Sequence, residues 1–159
     1  MARITCRTPS TGKIINYTKT NVPTNFETIA EAPDFSIPDP SGTIASQFIV
    51  DPVDSSRAIR PGEVFFLTPL AARNKSQESQ EIEVRVVLEN SFSMVIAKVQ
   101  VPAGDTALIP LQGRSLLKRN LSGIQGDQLQ VKAAQPSVFD VWISGEEKLS
   151  AEHIGQENI

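Results

Sequence analysis

The sequence is short of the residues that most protein chemistry relies on. Among 159 residues there is one cysteine, Cys6, and one histidine, His153. A single cysteine makes no internal disulfide, which excludes a disulfide scaffold and a multi-cysteine zinc site. His153 lies in a polar setting, Ala-Glu-His-Ile-Gly, with nothing in sequence to lock it as the base of a Ser/His/Asp triad. Cys6 beside Arg7 has a cation to favour its thiolate but no histidine nearby. No apolar run approaches the length of a membrane span, and Met-Ala-Arg-Ile-Thr-Cys-Arg lacks the apolar core of a signal peptide. Aromatics make up only 6% of the chain, with one Trp and one Tyr, which disfavours a sugar-stacking cleft. The net charge of -3 is too small to imply a nucleic-acid binder. These shortages predict a protein that is not an enzyme and carries no cofactor or metal.

Acidic clusters do not change this expectation. Asp34/Asp39 and Asp51/Asp54 sit beside prolines, where turn capping explains them better than paired-carboxylate hydrolysis. No Asp-x-Asp-x-Asp-Gly calcium loop occurs. Arg114, Lys118 and Arg119 form a small basic cluster without interleaved aromatics, so it reads as a solvated or partner-facing surface, and nucleic acid is not an expected partner.

Charge and proline divide the chain. Residues 1–19 hold Arg3, Arg7, Lys13 and Lys19 and no acid, whereas residues 20–56 hold six acids and no base. Charges balance from Arg57 to Ser144, and the remainder turns acidic through Glu146, Glu147, Glu152 and Glu157. Blocks of this kind mark arms that meet partners. Pro9, Pro23, Pro33, Pro38, Pro40, Pro52 and Pro61 crowd the first 61 residues and keep the chain extended. Phe35 and Ile37 are candidate anchors, with short strands plausible at Lys13 to Thr18 and Ile44 to Val50. The division is an extended Pro-rich N-terminal arm over 1–60, a β-sandwich over 61–145 and an acidic tail over 146–159.

From Glu63 onward the pattern is β. Glu63 to Leu70 is a short apolar run with Phe65 and Phe66 adjacent. Glu81 to Glu89 alternates with period two, placing Ile82, Val84, Val86 and Leu88 on one face. Met94 to Val101 follows, with Val95, Ala97, Val99 and Val101 on one face, and Pro102-Ala-Gly-Asp105 is a turn. Thr106 to Leu111 is a strand that Pro110 demotes to an edge. Ser115 to Leu121 allows a turn or two of helix. Gly126-Asp127 opens a strand, with Asp127 accepting backbone N–H groups at the turn. Gln128 to Ala133 and Val138 to Ser144 read as the last pair, joined at Gln135-Pro-Ser137. In the last strand Phe139, Val141 and Ile143 face one way and Trp142 the other, toward an arm or a neighbouring subunit. The fold class is all-β, an antiparallel sandwich or jelly roll with a long extended N-terminal arm.

Three segments, Val99-Gln-Val-Pro-Ala-Gly-Asp105, Gly126-Asp-Gln-Leu-Gln-Val-Lys-Ala133 and Phe139-Asp-Val-Trp-Ile-Ser-Gly-Glu146, carry a resemblance. They resemble small virion structural proteins of tailed bacteriophages, especially phages of marine bacteria and cyanobacteria. The likeness covers about residues 63–147 and leaves the first 60 unmatched. It implies a structural component of the tail, neck or baseplate, located in the virion and assembled in the host cytoplasm. Its partners would be copies of itself and other virion proteins, as a homo-oligomer or ring, with no membrane. Capsid decoration is the first alternative, a carbohydrate-binding receptor module a further one, and an assembly chaperone absent from the finished particle another.

The expected partner interface comprises Arg3, Ile4, Arg7, Lys13, Ile14, Ile15, Lys19, Phe35, Trp142, Glu146 and Glu147. In this reading the basic arm reaches the acidic patch of the next subunit, a heterologous, ring-forming contact. Apolar anchors such as Ile4, Ile14 and Ile15 supply the affinity, and the charges supply orientation.

Overall fold

The computed structural model describes residues 12–35, 37–38, 49–50, 57–59, 62–88, 91–119 and 126–149. The described residues form strands and connections and contain no helix. The strands are β1 (Lys13–Lys19), β2 (Glu27–Glu31), β3 (Ile37–Pro38), β4 (Ile49–Val50), β5 (Arg57–Ile59), β6 (Gly62–Phe66) and β7 (Leu70–Asn74). They continue with β8 (Gln80–Val87), β9 (Ser93–Val101), β10 (Thr106–Ile109), β11 (Ser115–Lys118), β12 (Gln128–Ala133) and β13 (Phe139–Leu149).

Two antiparallel sheets make the sandwich. In the first, β13 is central. One of its edges takes β1; the other takes β7 along its first half and β6 along its second. β10 and β11 flank β7 and β6 in the same way. The segments β6–β7 and β10–β11 are thus two long strands, each broken in the middle. The second sheet runs β2-β12-β8-β9. Successive strands pass between sheets at nearly every step, save the β8–β9 hairpin. Eight strand columns so connected are a jelly roll. A small sheet, β3-β5-β4, lies within the long connection from β2 to β6.

Alternation drives this arrangement. On β8, Ile82 and Val84 are fully buried and Val86 nearly so, while Glu83 and Arg85 are half-exposed. On β13, Phe139, Val141 and Ile143 point inward. Between the sheets they meet Val64, Phe66, Leu70, Leu117, Leu129 and Val131. Burying a branched or aromatic side chain of this kind contributes roughly 1.5–3 kcal/mol. Phe66 is core, whereas Phe65 lies on the outer face, with the Lys148 ammonium 5.0 Å from its ring centre. The Pro102–Asp105 turn closes through Asp105 N–H to the Pro102 carbonyl at 3.1 Å, and Gly104 takes a φ of +72° that suits glycine at its third position.

Four expectations are corrected. Ser115–Lys118 is a strand, because it finds Glu63–Phe65 of β6 to pair with, through a register shift. β12 and β13 are not paired: the 134–138 connection crosses from one sheet to the other. The face expected to run from Val95 to Val101 is interrupted. Register shifts by one between Val84↔Ala97 and Arg85↔Val95, leaving Ile96 as a bulge that turns Val95 to the outer face beside Arg85. Lastly, the sandwich does not begin at residue 61. β1 pairs with β13 and β2 with β12, so residues 13–31 supply a strand to each sheet.

Candidate interaction surface

The two ends of the sandwich differ. At one end the connections are short and tied together. They are residues 20–26, 75–79, 102–105 and 134–138. Val22 N–H donates to the Phe139 carbonyl at 2.9 Å, Lys75 N–H to Val138 at 2.7 Å, Asn74 N–H to Asp105 at 2.9 Å and Ala133 N–H to Pro23 at 2.9 Å. Asn74 is fully buried here. Its Nδ2 donates to the carbonyls of Glu78 (2.8 Å) and Val101 (2.9 Å), and its Oδ1 accepts from Ser76 N–H (2.9 Å) and Ser76 Oγ (2.8 Å).

Lys75, Asn21 and Asp140 clasp the same end from outside. Lys75 Nζ lies 2.9 Å from Asp140 Oδ1 and donates to Asn21 Oδ1 at 2.6 Å, and Asn21 N–H donates to Asp140 Oδ1 at 2.9 Å. Desolvation, the largest single influence, acts to raise the Asp140 pKa. The Lys75 hydrogen bond, the Asn21 N–H and the charges of Lys75 and Arg73 outweigh it and hold the carboxyl below its ordinary value.

At the opposite end the chain enters β1, leaves β2 for the long excursion to β6, turns from β8 to β9, passes from β11 to β12, and leaves β13. Backbone bonds hold its base together. Gly62 N–H donates to Pro33, Ala32 N–H to Asp127, Asp127 N–H to Lys118 and Arg119 N–H to Gly62, at 2.9–3.1 Å. Arg119 Nη2 adds a bond to the Ala32 carbonyl at 2.9 Å. The Asp127 side chain accepts from Lys118 N–H at 3.1 Å, across to β11. Gly126 is required here, since a Cβ would stand 2.6 Å from the Ala32 carbonyl oxygen.

The expected interface residues fall as follows. Arg3, Ile4 and Arg7 lie outside the described residues, as do Cys6, His153, Asp39, Asp51 and Asp54. Lys13, Ile14, Ile15 and Lys19 are on β1, and Glu146 and Glu147 on β13. The register sets Lys13 opposite Glu147 and Ile14 opposite Glu146. The basic and acidic segments therefore meet within one chain, and Lys19 also pairs with Glu27 at 2.9 Å. Residues 13–19 thus form an edge strand of their own chain's first sheet. Phe35 is half-buried against Gly62, where a Cβ would stand 2.8 Å from its ring. Trp142 is 39% exposed on the outer face of the first sheet, in a cross-strand row with Thr18 and Ala71.

The outer face of the second sheet is polar. Arg85 Nε donates to Gln130 Oε1 at 2.8 Å, and Gln130 Nε2 to Thr28 Oγ1 and Gln128 Oε1, each at 3.0 Å. The Arg85 guanidinium stacks 3.9 Å from the Phe26 ring centre. A shallow groove of about 360 Å³ beside it is lined by Thr24, Glu81, Glu83, Lys98 and Lys132. Its charges neutralise one another, with Glu83 between Lys132 (3.2 Å) and Lys98 (3.9 Å). Among the described residues no three His, Cys, Asp or Glu side chains converge to hold a metal.

This polarity stops at the β8–β9 hairpin. Phe92, Met94 and Val95 are 58%, 56% and 50% exposed, with Leu88 also in contact with solvent. Sequence reasoning missed this patch. Its signal was the uncharged run Asn90-Ser-Phe-Ser-Met-Val-Ile-Ala97. Ser91, at a φ of +70°, donates its N–H to the Leu88 carbonyl at 2.8 Å, and Leu88 N–H donates to Phe92 at 2.7 Å, which ties the end of β8 to the start of β9.

No protein-family model matches the chain, and no curated protein matches it. Among solved structures, it is similar to the N-terminal endo-1,4-β-D-xylanase 10B of Clostridium thermocellum, comprising CBM22-1 and GH10 modules complexed with xylohexaose. The identity is 11% and the TM-score 0.33 over 86% of this chain. The chain spans 28% of the length of that protein. A likeness of this size says nothing about what the chain binds.

Proposed function

We propose that the chain is a non-enzymatic structural component of a tailed-phage virion, a jelly-roll body built into the tail, neck or baseplate. The observation that carries this reading is the exposed apolar tip of the β8–β9 hairpin, at the same end as the chain entering β1 and the long β2–β6 excursion. Contiguous exposed apolar surface marks a contact with another protein. The segments that resemble virion proteins lie on β9, β12 and β13 and the turns beside them, so the resemblance concerns the sandwich body. The basic arm is then reduced to the chain ahead of β1. Capsid decoration uses the same surfaces and differs in location. Immunogold labelling of whole particles, with mass spectrometry of separated tails and emptied heads, tests the proposal. Signal on tails supports it, signal on heads selects decoration, and absence from particles overturns both.

A second reading, a carbohydrate-binding receptor module, is favoured by Trp142, whose ring lies on an open sheet face beside Thr18. Titration of tryptophan fluorescence with host surface polysaccharide tests it. An unchanged signal removes it.

A further inference from the structure

Of the four edges of the two sheets, three are guarded against strand addition by charge or proline. β1 carries Lys13 and Lys19, β2 carries Glu27 and Glu31, and the β10–β11 edge is broken at Pro110 and carries Lys118. β9 is the fourth edge, at the end of the order β2-β12-β8-β9. From Ser91 to Ala97 it has no charge and no proline, and its first charged residue is Lys98. The bulge at Ile96 places Met94 opposite Val86 on the core side and Val95 opposite Arg85 on the outer side. Apolar side chains thus flank this edge on both faces.

We propose that this edge is where two copies of the chain meet, β9 against β9, antiparallel about a two-fold axis, so that the second sheet continues from one copy into the other. This inference deepens the self-association in the proposed function and names its contact. Charge selects the occupant. An uncharged apolar edge favours an edge of the same kind, and among the described strands β9 is the one that offers it. The charged β1 and β2 edges would bury lysines or glutamates against it, at a desolvation cost. Self-pairing over 91–97 sets no like charges opposite each other. The contact is isologous, so it closes as a dimer and leaves the other surfaces free for neighbours.

The test is light scattering of the purified full chain over a range of concentrations, for wild type, Val95→Lys and Met94→Lys. Both side chains are more than half or half exposed, so the variants should fold, which circular dichroism and the melting temperature verify. Dimers in wild type, weakened at least about tenfold in both variants at unchanged melting temperature, support the proposal. A monomeric wild type at millimolar concentration overturns it, as do dimers that both variants leave intact. Particle association separates this from the wider reading. A β9 dimer absent from virions defeats the virion role alone, whereas virion-borne protein whose self-association ignores Val95→Lys defeats the β9 contact alone.

Discussion

The Tyr17 hydroxyl donates to Glu147 Oε1 at 2.7 Å, reaching along β13 past Gly145. A Cβ on Gly145 would stand 3.3 Å from the Tyr17 ring and 2.8 Å from Val64, so glycine makes the passage. The same ring meets Phe66 edge-on, at 6.4 Å between centres and 74° between planes. One side chain thus joins the β1 edge to the core and to the second half of β13. Burial, then the hydrogen bond to Glu147 and its negative charge, push the phenol well above its ordinary value.

An alkaline prediction follows from that shift. The unfolded phenol ionises near pH 10, while the folded one stays protonated. Stability attached to Tyr17 is therefore full below about pH 10 and is lost as pH rises beyond it. Denaturant melts of wild type between pH 8 and 11 should show this decline, and Tyr17→Phe should flatten it. A parallel decline in Tyr17→Phe would assign it to other groups.

At the acid limit the sign reverses. Asp140 is held below its ordinary pKa, so its contribution is present above about pH 4 and is lost as pH falls through the lowered folded value. Asp140→Asn should lower stability at neutral pH and reduce the loss on acidification. The cluster is partly exposed, so high salt should shrink the difference between variant and wild type.

Asn74→Ala should destabilise by about 1–3 kcal/mol, since it removes the buried amide donor to the Val101 carbonyl and frees the 75–79 connection. Asn74→Asp keeps the acceptor for Ser76 but loses the donor, and should not rescue it. Chemical denaturation measures both.

Val86→Ala should cost roughly 1–3 kcal/mol through lost burial and a small cavity. Phe66→Ala, at the centre of the core, should cost about 3–5 kcal/mol. Urea midpoints at equal m-values test the pair.

Deletion of residues 1–19 now has a different expected outcome from that of removing an arm. It strips β1, leaving the edge of β13 uncovered and Phe66 without its Tyr17 neighbour. The truncated protein should melt at a markedly lower temperature and aggregate. A truncated protein with native stability would restore the arm.

How far the sequence could be read depended on whether the signal was local. The alternation of Ile82, Val84 and Val86 and the Pro-Ala-Gly-Asp turn are local, and they emerged as read, whereas Leu88, read on the same face, lies past the end of β8 and is exposed. So did the edge position of the strand before Pro110. Ser115-Leu-Leu-Lys is ambiguous by itself, and only β6 makes it a strand. The short 134–138 connection looks like a hairpin, yet a jelly roll uses such connections to cross between sheets. Glu27–Glu31 was hidden by the prolines around it and by its acids, because its partner β12 is about 100 residues away. The β9 patch escaped because a bulge, invisible in sequence, turned Val95 outward.

The place of β13 has a consequence for synthesis. It is the last described strand and stands in the middle of the first sheet, between β1 and the β6–β7 column. A nascent chain that has not yet released β13 has a sheet split down its centre, with β1 and β6 facing a gap. Partial folding in the order of synthesis cannot close the barrel-like body, because the inward Phe139, Val141 and Ile143 arrive last. Closure of the body must therefore await β13 and be slow for the chain's size, as distant pairings demand. Until that strand docks, open edges are held within one molecule at the moment when crowded copies could exchange them.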